Sequence, residues 1–237
     1  SMLHVQNMVL DNCLSTIKHE TIYYPNKIKQ IIGRLNTQNL SEKEEREAVE
    51  TITELIEYYK GIFTILSSCA ARQLEEVTFR RTTIPVQELF DAAGKYFRKV
   101  MKNRMEKIEL IMEPMEAKVI GDVNQLRFLF ENLIDEALAV HEEGVIRLQA
   151  RKDNEYVRFL FTDTRREKSV TELNQLFYPN LARMTSGEKG ELRGTEYLIC
   201  KQIIRDHDEF AGRRGCRINA EPAEGGGFTV YFTIPRR

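Results

Sequence analysis

The sequence predicts two parts, an α-helical hairpin over residues 1–72 and a two-layer α/β sandwich over residues 73–237. Three observations carry this. Apolar residues recur at helical spacing through the first third of the chain. The texture changes after Arg72 to short runs rich in β-branched and aromatic residues. Those runs alternate with amphipathic stretches of helical length.

In the first part, Val5, Met8, Val9, Leu14, Ile17, Ile28, Ile31, Ile32 and Leu35 predict one long helix from Met2 to Leu35. The polar stretch NTQNLSEKEE predicts a turn, and Ser41 followed by Glu44 is a capping-box pattern that opens a second helix. Val49, Ile52, Leu55, Ile56, Tyr59, Ile62, Phe63 and Leu66 recur along that helix. Two helices of roughly 30 residues, each about 45 Å long, cannot bury such stripes as a lone hairpin. A dimeric four-helix bundle buries them.

In the second part, VTFRRTTIP predicts a strand ending at Pro85, and VQELFDAAGKYFRKVMKNR an amphipathic helix. KIELIME and KVIGD follow as short strands, then NQLRFLFENLIDEALAVHEE as a nearly continuously apolar helix. GVIRLQARKDNEYVRFLFTD is a strand, a turn at Asp153-Asn154, and a strand. A short helix around VTELNQLF, a polar loop from Pro179 to Gly194, a helix from Thr195 to His207 and the strands CRINAE and GFTVYFTIP complete the part. The expected arrangement is a mixed sheet with helices on one face.

Composition sets bounds on function. The 237 residues are 42% hydrophobic with 12 Phe and 9 Tyr, enough to build a core and to exclude wholesale disorder. A net charge of -1 provides no global field to recruit nucleic acid or an anionic membrane. Cys13, Cys69, Cys200 and Cys216 lie far apart with no C-x-x-C pair, which signals neither a zinc site nor a disulfide framework and suits the reducing cytoplasm. The longest apolar stretch, from Gly61 to Ala71, is too short to span a bilayer. No signal peptide is present, and the opening Ser1-Met2 reads as a vector-derived start. The expectation is a cytoplasmic piece of a longer chain whose membrane anchor lies outside this sequence.

A hairpin with a midway His19-Glu20 pair, followed by this order of strands and helices, resembles the core of bacterial sensor histidine kinases. The hairpin is similar to their dimerisation and histidine-phosphotransfer domain. The remainder is similar to their catalytic domain of the Bergerat (GHKL) ATPase type. The resemblance implies a homodimer that binds ATP and Mg²⁺, phosphorylates His19 and passes the phosphoryl group to an aspartate of a response-regulator receiver domain.

The motifs carry this residue by residue. His19-Glu20 followed by Pro25 resembles the family's H-box, with the proline one residue later than usual. A near-neutral imidazole is a competent nucleophile toward a phosphoryl group, and a carboxylate such as Glu20 orients its ring. Pro25 removes a backbone donor and kinks the helix just beyond. Tyr23 stands where the family usually has a small polar residue that serves phosphatase chemistry. His4, His141 and His207 lack such neighbours and read as structural.

ENLIDEAL resembles the N-box: Asn132 fits its first asparagine, and Glu136 replaces the second, which usually holds Mg²⁺. Asn132 and Glu136 are therefore the implied metal ligands. DTRRE keeps Asp163, the residue that in the family reads the adenine amino group, with Arg165 and Glu167 in place of glycines. GTEYLI keeps Gly194 of the second glycine box, and places Glu196 and Tyr197 where bare amides would meet phosphates. LFYPN resembles the F-box, with Phe177, and LARMTSGEKGELR the ATP lid. Arg165, Arg166, Lys168, Arg183, Lys189 and Arg193 are either phosphate-binding charges replacing the glycine amides or ordinary solvated surface charges.

The nucleotide-binding set implied by the resemblance is thus Asn132, Glu136, Asp163, Arg165 and Gly194, beside catalytic His19 and Glu20. Two other readings stay open because the glycine boxes are altered. One is a pseudokinase or scaffold that docks and dimerises. The other is an ATP-independent relay in which His19 takes its phosphoryl group from a partner's aspartate.

Overall fold

The computed structural model describes Met8 and residues 27–70, 79–178 and 195–237. These residues fall into two compact units, one containing residues 27–70 and the other residues 79–178 and 196–237.

In the first unit, α1 spans residues 27–37 and α2 spans Glu42–Ala70. The expected capping box is formed: the Ser41 amide donates to Glu44 Oε2 at 2.8 Å, and the Glu44 amide donates to Ser41 Oγ at 3.3 Å. Glu42, Glu44 and Glu45 crowd the first turn, where the helix dipole favours negative charge. Ile31 and Leu55 are buried, whereas Ile32, Val49 and Ile56 are 44%, 54% and 46% exposed. Among the described residues the apolar stripe is thus only partly buried. The segment expected to carry His19, Glu20 and Pro25 lies outside the described residues.

The second unit is built on a five-stranded sheet in the order β2-β4-β5-β7-β6. Its strands are β2 (Ile108–Glu113), β4 (Gly144–Lys152), β5 (Tyr156–Asp163), β6 (Ile218–Pro222) and β7 (Phe228–Pro235). β2 runs parallel to β4 and the other pairs are antiparallel. Period-2 alternation puts Ile146, Leu148, Val157, Phe159, Phe161, Val230, Phe232 and Ile234 on one buried face. Helices α3 (Val86–Met101) and α4 (Val123–Leu138) cover that face. Phe159 stacks on Phe232 at 5.0 Å between centroids, and Phe130 of α4 meets both rings at 5.7 and 5.6 Å. Burying each such ring stabilises the fold by roughly 2 to 3 kcal/mol. The other face of the sheet is more polar, with Arg158 over the Tyr231 ring and the Thr162 and Thr229 hydroxyls bonded at 2.7 Å. Short α5 (Val170–Gln175) starts with its own capping box, Ser169 with Glu172, and α6 (Glu196–Phe210) packs beside α4.

Several boundaries differ from the sequence reading. β1 covers only Thr82–Pro85, because its antiparallel partner β3 (Lys118–Gly121) ends where Gly121 faces Thr82. Beyond that point Asp122 turns away to cap α4, accepting from the amides of Asn124, Gln125 and Arg80. β1 and β3 form a separate two-stranded pair and do not extend the main sheet. α4 stops at Leu138, short of the expected His141-Glu142-Glu143, and α6 continues three residues past His207 to Phe210. Gly212 follows α6 at φ +93°, a conformation that ends a helix at little cost for glycine.

Candidate functional site

Asp163 is the last residue of β5, on the buried face between Ile146 of β4 and Phe228 of β7. Its side chain is 1% exposed. Strand alternation alone put an aspartate there, and burial demands that the carboxylate find donors.

Those donors come from Arg165 and Arg166, two and three residues further on. Oδ1 accepts from the Arg165 amide at 3.0 Å and from Arg165 Nε at 2.9 Å. Oδ2 accepts from Arg165 Nη2 and from Arg166 Nε, both at 3.0 Å. An ionised carboxylate offers about four lone-pair positions, so Asp163 is saturated. Burial alone would push its carboxyl up, but the hydrogen bonds from Arg165 and the charges of Arg165 and Arg166 outweigh that and hold it below the usual carboxylate range.

Arg165 is as deeply placed, with its side chain 1% exposed. Besides gripping Asp163, its Nη1 donates to the carbonyls of Glu142 at 2.8 Å and Val140 at 3.3 Å, and its Nη2 to that of Ala137. These acceptors are the last turn of α4 and the segment just after it, so the cation sits at the negative end of the helix dipole. The stem runs past Gly144, whose missing Cβ leaves room for it: a Cβ there would stand 2.8 Å from Arg165 Cγ. The sequence reading offered Arg165 to phosphates, and here all its donors point inward.

Asn132 and Glu136 lie one turn apart on α4 and are both buried. Asn132 Nδ2 donates back to the Phe128 carbonyl at 2.8 Å. Glu136 faces α6, where its charge and that of Glu196 act on Cys200. Burial first, then those two carboxylates, push the Cys200 thiol well above its ordinary range. Among the described residues no group of three or more His, Cys, Asp or Glu side chains is placed to hold a metal ion. Phe177 and Tyr197 are buried edge to face, 5.8 Å between centroids, so Tyr197 turns into the core. Gly194, Arg183, Lys189 and Arg193 lie outside the described residues.

Three contributors escaped the sequence reading. Gly227, at φ +83°, brings the loop before β7 directly against the backbone of Asp163, and its amide donates to Glu167 Oε1 at 3.1 Å. Gly144 admits the Arg165 stem, and the carbonyls ending α4 receive its guanidinium. The run Gly225-Gly226-Gly227 before a strand was the one signal in the sequence that pointed to a close approach there.

An adenine base in the position implied by the resemblance needs a free acceptor on Asp163 for its amino group. The residues present do not offer one, so the base end of the site does not fit an adenine nucleotide in this structure.

Residues 121–237 match the family described as histidine kinase-, DNA gyrase B-, and HSP90-like ATPase. Among solved structures, the catalytic domain of histidine kinase ThkA is 20% identical, with a TM-score of 0.52 over 68% of this chain and 97% of that one. The structure of ThkA in complex with response regulator protein TrrA is 18% identical, with a TM-score of 0.53 over 97% of this chain and 63% of that one. Full-length ShkA in complex with AMPPNP is 15% identical, with a TM-score of 0.52 over 94% of this chain and 45% of that one. No curated protein sequence matches the chain. No helix among the described residues is long and apolar enough to cross a membrane. Asp163 thus lies in the stretch that matches the histidine kinase-, DNA gyrase B-, and HSP90-like ATPase family, and the fold of that stretch is similar to histidine kinase catalytic domains.

Proposed function

We propose that the chain is the cytoplasmic core of a two-component signalling protein, in which His19 takes up a phosphoryl group and passes it to a response-regulator aspartate. Residues 1–72 form the dimerising, histidine-bearing hairpin, and residues 73–237 the histidine-kinase-like domain. The observation that carries this reading is the order of elements, a capped helical pair followed by an ATPase-type domain. That order is matched over 97% of the chain by a histidine kinase solved with its response regulator. The exposed Ile32, Val49 and Ile56 support a second copy packing on the hairpin.

At His19 the neutral imidazole nitrogen forms a phosphorus–nitrogen bond as the donor's phosphorus–oxygen bond breaks, with Glu20 holding the other ring nitrogen. The phosphoramidate then gives the group to a receiver carboxylate and the imidazole is regenerated. In the autokinase reading the donor is ATP with Mg²⁺, and Asp163 has first to be freed of Arg165. The saturated Asp163 carboxylate favours a second reading, in which the donor is the aspartyl phosphate of a partner receiver and the C-terminal domain serves docking and dimerisation.

The test is to incubate the chain and its His19→Ala variant with γ-labelled ATP and Mg²⁺, and separately with a labelled phospho-receiver. Acid-labile label in the parent alone supports phosphotransfer, and the donor that delivers it selects between the readings. Absence of His19-dependent label from either donor sinks the proposal.

A further inference from the structure

We propose that Arg165 occupies the base subsite of this domain from within the chain, so that the native protein excludes adenine nucleotides and admits them only when the guanidinium leaves Asp163. The inference rests on the reading above that Asp163 holds the adenine-recognising position.

The fit of the occupant is complete on both sides. A guanidinium has five N–H donors. Nε goes to Asp163 Oδ1, Nη1 to Val140 O and Glu142 O, and Nη2 to Ala137 O and Asp163 Oδ2. The carboxylate in turn has each lone-pair position taken. Arg165 presents to Asp163 the planar N–H donors that a purine amino group would present, but with a full positive charge and at no entropic cost of association. Both side chains are 1% exposed, so solvent does not loosen the pair. An entering base would have to strip Asp163 of Arg165 and leave a buried cation short of acceptors, a loss that its own amino group does not repay.

The surroundings are shaped to the arginine. Gly144, at φ +142°, has no Cβ where the Arg165 stem passes. The carbonyls at the end of α4 converge on the guanidinium, and Arg166 grips Asp163 from the other side. Arg165 is thereby the residue that sets ligand specificity. The competing assignment is that it serves only as the C-terminal cap of α4.

ADP titrated into the full chain, with and without Mg²⁺, separates the two. The comparison includes Arg165→Gly, Arg165→Lys and the double variant Arg165→Gly/Asp163→Asn, each checked for fold by circular dichroism and thermal unfolding. The parent is expected to show no saturable binding up to about 1 mM ADP, while Arg165→Gly binds at least about tenfold more tightly. Asp163→Asn in that background should remove the gain. Arg165→Lys keeps the charge but loses the planar fork, and should show a smaller gain that carries the test if the glycine variant does not fold. A parent that binds ADP as tightly as a folded variant overturns the proposal, as does a folded variant that gains nothing. A gain that survives Asp163→Asn overturns the assignment of Asp163 itself. His19 labelling is not read in this experiment, so failure of the phosphotransfer reading leaves its outcome standing.

Discussion

Gly144 and Arg165 are matched in shape: the glycine at the start of β4 leaves the space through which the arginine stem reaches Asp163, and a Cβ would stand 2.8 Å from Arg165 Cγ. Gly144→Ala meets both that contact and the positive φ of +142°. It is expected to destabilise the domain by about 1 to 3 kcal/mol, read as a lowered urea midpoint at unchanged m-value.

Gly227 faces a harder limit. A Cβ there would fall 2.1 Å from the Asp163 carbonyl oxygen, which is backbone and has nowhere to move. Gly227→Ala should cost about 3 kcal/mol or more and lower the melting temperature well beyond Gly225→Ala. Gly225 shares the positive φ, at +84°, but has no atom near its missing Cβ, so the difference between the two variants isolates the close approach.

His207 makes stability depend on pH. It is buried: Nε2 accepts from the Asp122 amide at 3.1 Å, Nδ1 donates to the Ile203 carbonyl at 2.8 Å, and its ring meets Phe79 edge-on. Burial lowers its pKa to about 4, against smaller upward pulls from the Ile203 hydrogen bond and the Asp122 charge. Between about 6.5 and 4 the unfolded chain binds the proton that the folded chain refuses. The stabilisation is therefore full above the unfolded value and is lost as pH falls through that window. Across the whole window this amounts to about 3 kcal/mol. Urea midpoints measured from pH 7.5 down to 5 should fall, and His207→Gln should flatten that slope. Staying above pH 5 keeps depressed carboxylates such as Asp163 and Asp208 out of the comparison.

Asp122 ties the segment before β1 to the first turn of α4 by accepting from the amides of Arg80, Asn124 and Gln125. Asp122→Ala should cost about 1 to 2 kcal/mol for the lost cap. Asp122→Asn, which keeps an acceptor oxygen, should recover most of it in the same denaturation measurement.

The run ending in YVRFLFTD read as a strand and the Ser41-Glu44 pattern marked the start of α2, and the structure has both. Both are local rules, in which side chains separated by two or three residues share a face or a turn. The end of α4 was not legible in the same way. The stretch after Leu138 has no glycine or proline stop before Gly144, and the carbonyls there are taken by Arg165, 25 residues on from Val140. Arg165 itself read either as a phosphate-binding charge or as an ordinary solvated one, because nothing near it in sequence names its acceptors.

By itself, the sequence determined the element types of the described α/β domain, because these follow from periodicities that span a few residues, while Asp163 was singled out by the resemblance of DTRRE to a glycine box. Tertiary structure alone decided what Asp163 binds. That outcome required β5, the end of α4, Gly144 and Gly227 to meet at one point, where a buried carboxylate had to be neutralised and the nearest cation in space took the position.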